Sequence, residues 1–297
     1  MTGIRALRRL FGHRPAPTPT PELGWPAGHF YSPLPDLDDI RRRESTVFPA
    51  PQADLPGLNI DRERQLQVLR QLARYYPEMP FPEQKQDAFR YYFDNPNFRH
   101  GEAIALYGMM RWLQPRRIVE IGSGFSSSAM LDTNQRFFNN AIHCTFIEPY
   151  PELLLNLLSP GDRERVEVLA QKVHDVSLDT FARLEAGDIL FVDSSHVAKI
   201  GSDVNDIFFR ILPALKPGVY IHFHDIHHGF EYPKKWIYEG RAWNEAYLLR
   251  AFLQYNQVFH IEFFNSYAWE FLNEDLVTHL PLARSSPGSS IWLRKAE

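Results

Sequence analysis

Two aspartates and a dense group of histidines are the residues of this chain best suited to chemistry. Asp193 and Asp225 each follow a β-forming run. Five of the twelve histidines lie between residues 196 and 228, namely His196, His222, His224, His227 and His228. Carboxylates and imidazoles bind divalent cations, and an imidazole near its ordinary pKa can take a proton from a hydroxyl. The cluster fits three roles: a metal site on Asp193, His224 and Asp225, metal-free base or substrate chemistry, or structural hydrogen bonding.

A glycine turn follows an earlier β-forming run, residues 118–121. The two glycines let the backbone turn sharply and approach a ligand, and the next helix offers its N-terminal amides. Glu148, at the end of the next predicted strand, can accept both hydroxyls of a ribose. The pattern predicts a nucleoside-containing ligand held by Glu120, Gly122, Ser123, Gly124, Ser126, Ser127 and Glu148.

Two details at this turn favour an adenosyl ligand over NAD. The third glycine of the dinucleotide fingerprint would fall at Ser127. Glu120, just before the turn, would repel a pyrophosphate but can hold an ammonium group; its alternative is a structural hydrogen bond at the strand end. An NAD-dependent oxidoreductase remains one alternative function, and a non-catalytic cofactor-binding scaffold is another.

The elements that position these residues alternate between strand and helix. Strands are predicted at 118–121, 145–147, 166–170, 188–192 and 219–224, with helices between them and two late strands near 258–264 and 290–293. Such alternation is typical of βαβ units. We therefore predict an α/β fold, a Rossmann-like, mostly parallel seven-stranded sheet with helices on both faces. Because parallel strands end at one edge, Asp193 and Asp225 should share its crevice.

The N-terminal third has a different character. Residues 1–35 are rich in proline and threonine and are predicted to be a disordered tail, since alternate prolines favour extended chain. Residues 36–100 are predicted to form a helical extension, whose best helix spans 61–76. The cofactor-binding domain is predicted to occupy residues 101–297.

Composition excludes several classes of partner. With a net charge of −4 and a pI near 6.3, the chain gives no electrostatic reason to expect nucleic acid or an anionic membrane. No run approaches the roughly 18 apolar residues of a transmembrane helix, so stable membrane insertion is not expected. One cysteine, Cys144, cannot form an internal disulfide, which makes the cytoplasm the simplest compartment. The sequence is compatible with a homo-oligomer but does not select one.

Four motifs in order carry a resemblance over residues 100–295. They are Val119–Gly124, Ile147–Pro149, Phe191–His196 and Lys216–Gly218. In this order they resemble class I S-adenosylmethionine-dependent methyltransferases, the nearest being bacterial enzymes of the cephalosporin-hydroxylase-like and catechol-type O-methyltransferase groups. The resemblance implies S-adenosylmethionine as cofactor, bound at the glycine turn, Glu148 and Asp193, with Asp175 beside its adenine.

The same resemblance implies roles for the Asp/His cluster. Metal-dependent relatives bind a divalent cation such as Mg²⁺ through aspartates at the positions of Asp193 and Asp225. Ile226 stands where they carry a third ligand, so His224 is the expected replacement. His196 lies where catechol-type enzymes carry a basic residue, which makes it the expected general base, with Asp193 and Asp225 beside it. Its alternatives are to cap the next helix or to hold Asp193.

An aromatic segment, residues 227–243, completes the predicted site. Gly229 and Gly240 lie near its ends, which suits a mobile lid, although a packed surface loop fits almost as well. A lid would contact the substrate through His227, Phe230, Tyr232 and Trp236. The acceptor is expected to be a small molecule or glycan, methylated on a hydroxyl oxygen.

Overall fold

A computed structural model of the chain describes residues 24–296 and divides them after Val47 into two compact units. The first contains the short helices α1 (Leu37–Arg42) and α2 (Glu44–Val47). Of the predicted disordered tail, residues 1–23 lie outside the described residues, whereas residues 24–35 form turns that include a hydrogen bond from the Gly28 amide to the Leu34 carbonyl.

The second unit contains residues 48–100, which the sequence predicts to be a helical extension, together with the residues of the sheet. Helix α3 (Arg62–Tyr75) begins after Asp61, whose side chain accepts a hydrogen bond from the Arg64 amide. Its apolar stripe is buried, and the Gln65 side chain accepts a hydrogen bond from the Phe264 amide at 2.8 Å. The helix thus covers the edge of the sheet.

A buried ion-pair network also joins residues 48–100 to the rest of the second unit. The Arg90 guanidinium donates to Asp132 at 2.7 Å and to Asp162 at 2.6 Å, and all three side chains are buried. Nearby, the Phe93 ring stacks on His100 with centroids 4.6 Å apart. The aromatic residues around position 93 therefore anchor the segment.

One seven-stranded sheet forms the centre of the second unit, as predicted. Its strands are β1 (Arg117–Ile121), β2 (His143–Ile147), β3 (Glu167–Leu169), β4 (Ile189–Val192), β5 (Tyr220–His224), β6 (Phe259–Phe264) and β7 (Ser290–Lys295). Their order is β3-β2-β1-β4-β5-β7-β6, and β1 to β5 are parallel while β7 is antiparallel to both of its neighbours. The strand order reverses between β1 and β4, which is where open α/β sheets bind ligands.

Helices cover both faces of the sheet. They are α4 (His100–Leu113), α5 (Phe125–Phe137), α6 (Glu152–Leu157), α7 (Leu178–Ala182), α8 (Asp203–Asp206), α9 (Leu212–Ala214), α10 (Lys234–Tyr238), α11 (Glu245–Leu253), α12 (Asn265–Phe271) and α13 (Asn273–His279). A π-helical turn, Ile207–Ile211, joins α8 to α9. On one face Tyr220 contacts Trp112 of α4, and on the other Phe223 contacts Phe208 of the π turn. Within residues 24–296 no helix has the length and apolar character needed to cross a bilayer.

Candidate active site

The glycine turn after β1 is wedged between the ends of β2 and β4. The Gly122 amide donates to the Ile147 carbonyl at 2.9 Å, and its φ of +80° lies in the left-handed region. A Cβ at this position would lie 1.9 Å from the Asp193 carbonyl oxygen. Only glycine satisfies both conditions, so it is what allows Asp193 to lie beside the turn.

Glu120 is fully buried beneath this turn. Its carboxylate accepts hydrogen bonds from the Ser126 hydroxyl at 2.5 Å and from the Ser127 hydroxyl. Burial raises the pKa of Glu120 to about 8, although the serine hydroxyls oppose the shift. The hydroxyls of both serines, predicted as ligand donors, are thus engaged with Glu120, and the cofactor contacts of these three residues stay predictions.

Glu148 ends β2 and faces the turn. One carboxylate oxygen accepts from the Ser123 amide at 3.2 Å and the other from the Tyr150 amide at 2.8 Å. Burial raises the pKa of Glu148. Asp175, by contrast, is exposed, and its carboxylate lies 3.8 Å from its neighbour His174.

His196 stands among three carboxylates at the ends of β4 and β5. Its Nε2 lies 3.3 Å from Asp193 Oδ1 and 3.8 Å from Asp225 Oδ2, and its Nδ1 lies 2.9 Å from Glu245 Oε2. Burial opposes protonation, but hydrogen bonds to Asp193 and Glu245 outweigh it and hold the pKa of His196 well above its ordinary value. His196 does not cap the next helix, because Ser202 does.

The backbone at this cluster is unusual. Both His196 and Asp225 have positive φ, +58° and +55°. Non-glycine residues rarely adopt this conformation, and they persist in it only where the surroundings enforce it, typically at functional sites. The surrounding contacts therefore hold both residues in this conformation.

Sequence reasoning missed Glu102, on α4. Its carboxylate lies 3.5 Å from His224 Nδ1, and Glu102, His224 and Asp225 offer three ligand atoms within 4.8 Å of one another. Of the predicted cation set, His224 and Asp225 lie together with Glu102, whereas Asp193 lies beside His196; a bound cation stays a prediction. His224 Nδ1 is buried without a hydrogen-bond partner. The sequence signal for Glu102 was only that an acidic residue stands within an apolar helical segment.

The remaining histidines of the cluster are not equivalent. His222 is buried, and its ring stacks on Phe191 with centroids 3.9 Å apart. Burial holds the pKa of His222 well below the ordinary value. His228 hydrogen-bonds the Gln52 carbonyl at 2.7 Å. Both therefore support the fold. His227 lies against the half-buried Trp236, with ring centroids 5.4 Å apart.

Two predicted substrate contacts are corrected by the structure. Phe230 is 1% exposed and packs on Phe264, so it belongs to the core. Tyr232 is also buried, and its hydroxyl accepts a hydrogen bond from the Ala246 amide at the start of α11. Trp243, which was not predicted as a site residue, lies against His196 with ring centroids 4.3 Å apart. Trp236 and Trp243 are in edge contact at 5.3 Å.

Comparison with known proteins identifies the family. A family model described as a methyltransferase domain matches residues 119–226. An uncharacterized protein of Archaeoglobus fulgidus is 37% identical over 164 residues, which are 54% of this chain and 74% of that protein. The chain belongs to the methyltransferase family.

Solved structures of methyltransferases resemble this one at low sequence identity. The O-methyltransferase TomG from Streptomyces achromogenes, crystallised with S-adenosylmethionine, is 15% identical; the match covers 87% of this chain and 96% of TomG with a TM-score of 0.45. The methyltransferase PaMTH1 from Podospora anserina, bound to S-adenosylhomocysteine, is 15% identical, with 88% and 96% covered and a TM-score of 0.42. By family model and ordered motifs, the chain is a class I S-adenosylmethionine-dependent methyltransferase.

The crevice of this methyltransferase fits the charge of its cofactor. S-adenosylmethionine carries a sulfonium, an ammonium group and vicinal ribose hydroxyls. The carboxylates of Glu148 and Asp193 flank the glycine turn, and they suit a cation and hydroxyl donors but would repel a pyrophosphate. The donor set therefore favours S-adenosylmethionine over NAD.

Proposed function

We propose that this methyltransferase methylates a hydroxyl oxygen of a small molecule or sugar and that His196 is the general base. The observation that carries the proposal is the placement of His196 between Asp193 and Asp225 beside the glycine turn. The pKa of His196 is held above its ordinary value, so the neutral imidazole that accepts the hydroxyl proton becomes more abundant as the pH rises, and the adjacent carboxylates stabilise the imidazolium that forms.

The residues of the turn would hold the cofactor. Glu148 would accept hydrogen bonds from the ribose hydroxyls, the Gly122–Gly124 backbone would lie against the amino-acid part, and Asp193 would face its positive charge. When bound, S-adenosylmethionine supplies a methyl carbon whose bond to sulfur breaks as the acceptor oxygen bonds to it, with the electron pair remaining on sulfur. Glu120 supports the turn from below through Ser126 and Ser127.

The chain's own groups account for the proton and for the exclusion of water. The acceptor hydroxyl gives its proton to Nε2 of His196. Trp243 covers one face of the imidazole, and Trp236 is in edge contact with Trp243. The Arg241 guanidinium lies over both indoles, 4.5 Å from the Trp236 centroid and 5.0 Å from the Trp243 centroid, so a sugar or phenol ring would stack on an indole face that Arg241 leaves uncovered. This aromatic wall supports a cyclic hydroxyl compound as the acceptor class.

A cation-assisted form of the same reaction is the second candidate. Glu102, His224 and Asp225 form a mixed carboxylate–imidazole set whose ligand atoms lie within 4.8 Å of one another. These residues would hold a divalent ion such as Mg²⁺ or Mn²⁺, which would acidify a bound hydroxyl. Wild-type turnover that survives EDTA would exclude this form.

Methyl transfer from labelled S-adenosylmethionine tests the proposal. The acceptors are catechol, a set of free sugars and a small-molecule extract of cells that carry the gene, with products identified by mass spectrometry. We expect an O-methylated product from the wild type. His196→Ala should lower kcat by about 10²- to 10⁴-fold, the usual contribution of a general base. An N- or C-methylated product, or full activity in His196→Ala, would contradict the proposal.

A further inference from the structure

We propose that Glu245 is a positioning residue that fixes the orientation and tautomer of His196. The inference rests on the proposed function, in which Nε2 of His196 takes the acceptor proton. Glu245 is 1% exposed, and its Oε2 lies 2.9 Å from Nδ1 of the imidazole, on the ring edge opposite Asp193 and Asp225.

Each oxygen of the Glu245 carboxylate has a partner, and the two contacts together fix its position. The other oxygen, Oε1, accepts a hydrogen bond from the Ser194 hydroxyl at 2.8 Å. That same hydroxyl oxygen accepts from the His196 amide at 2.9 Å. Glu245 is also the first residue of α11, where the helix dipole stabilises a negative charge. The chain thus holds this carboxylate at one place and aims it at Nδ1.

Backbone contacts join the start of α11 to the loop that carries His196. The His196 carbonyl accepts hydrogen bonds from the amides of Asn244 at 2.9 Å and Glu245 at 3.1 Å. The Asn244 side chain accepts from the Ala198 amide at 2.6 Å and donates to the Ala198 carbonyl at 3.2 Å. These bonds help to keep the His196 backbone in its left-handed conformation, and they fix the start of α11 relative to the loop that carries His196.

On a neutral His196 imidazole the proton can lie on either ring nitrogen, Nδ1 or Nε2. Asp193 and Asp225 face Nε2 and would draw the proton there, which would leave no lone pair to receive the acceptor proton. Glu245 is the carboxylate that faces Nδ1. By binding the proton on Nδ1, it leaves Nε2 as the free base on the crevice side, because a carboxylate selects the tautomer of its imidazole partner.

Nuclear magnetic resonance on the whole chain labelled with ¹⁵N-histidine tests the assignment without any acceptor. His196 signals are identified by their loss in His196→Gln, and the pH is raised until the ring is neutral. We expect the Nδ1–H tautomer in the wild type and a shift toward Nε2–H in Glu245→Ala. Unchanged His196 signals in Glu245→Ala would overturn the proposal. Glu245→Gln, whose amide oxygen can still accept from Nδ1–H, should keep the Nδ1–H tautomer in part. Glu245→Leu, which has no acceptor, replaces the alanine variant should that variant unfold.

Kinetics supply the second readout. With the acceptor that the wild type methylates, Glu245→Gln should lower kcat about 10-fold and Glu245→Ala about 100-fold, while KM for S-adenosylmethionine stays within twofold. Glu274→Gln, in the first turn of α13 and exposed, is the matched control and should retain wild-type kcat. Wild-type kcat in both Glu245 variants would also overturn the role. A wild type that methylates no acceptor would refute the proposed function alone, because the tautomer is still measured.

Discussion

Nδ1 of His196 lies 2.9 Å from Oε2 of Glu245, although 49 positions separate the two residues. His196 follows a central strand, whereas Glu245 begins a helix beyond the last parallel strand. The fold therefore completes its candidate catalytic group with a side chain from the C-terminal part of the chain. Loss of the α11 start should impair chemistry before it impairs cofactor binding.

Glu148 should dominate recognition of the cofactor ribose. Glu148→Ala removes a partly buried carboxylate that lies against the Ser123 amide, and hydrogen bonds to a charged group are worth about 1.5–3 kcal/mol each. Titration calorimetry with S-adenosylhomocysteine should show a Kd raised by at least about tenfold. The exposed Glu152→Ala variant, in α6, is the control. Equal affinity in both variants would refute this role.

Gly122 should tolerate no side chain. Gly122→Ala combines a positive φ with a Cβ 1.9 Å from the Asp193 carbonyl, so the ends of β1 and β4 must separate. We expect the free energy of unfolding in urea to fall by about 3 kcal/mol or more. Gly161→Ala has a similar φ of +83° with no atom within 4 Å and should cost about 1 kcal/mol. Similar losses in the two variants would show that steric contact at Gly122 is unimportant.

Glu120 should make the protein less stable as pH rises. Its pKa is about 8 in the folded chain and near 4.5 when unfolded, so between these values the unfolded state binds fewer protons. Stability attributable to this group is therefore full below pH 4.5 and is lost toward pH 8, by at most about 1.4 kcal/mol per pH unit. Urea unfolding at pH 5 to 8 should show a steeper decline for the wild type than for Glu120→Gln. Parallel pH profiles would contradict the burial effect.

Arg90 should be the main polar anchor of residues 48–100. Arg90→Ala leaves Asp132 and Asp162 buried without their cation, and breaking a buried pair costs about 3–5 kcal/mol. Arg99→Ala breaks a pair with Asp94 in which both side chains are 48% exposed, and it should cost less than about 1 kcal/mol. Chemical denaturation of the two variants checks the contrast. Comparable losses would mean that the buried network does not stabilise the fold.

The sheet was predictable because its strands carry strong local signals. Residues 189–192 are apolar throughout, as expected for a strand buried on both faces, and the Gly122–Gly124 turn marks the end of β1. Helices α10, α12 and α13 were not predicted. They are short, and tertiary packing rather than an apolar period stabilises them.

The site was only partly predictable, because contacts between residues that lie far apart in the chain cannot be read from the spacing of residue types. His196, Asp193 and Asp225 follow strand ends, so topology brings them together. Glu102 and Glu245 reach the same crevice from helices at opposite ends of the domain, and their sequence neighbourhoods are ordinary. Phe230 illustrates the opposite error, since an aromatic residue in a glycine-bounded segment suggested a lid but is packed on Phe264.

A crystal structure of the protein grown with S-adenosylhomocysteine tests the central claim most directly. We predict that the nucleoside lies against Gly122–Gly124, with the Glu148 carboxylate on both ribose hydroxyls and the His196 imidazole facing the sulfur side of the crevice. Density elsewhere, or Glu148 turned away from a bound ribose, would contradict the claim and with it the catalytic role given to His196.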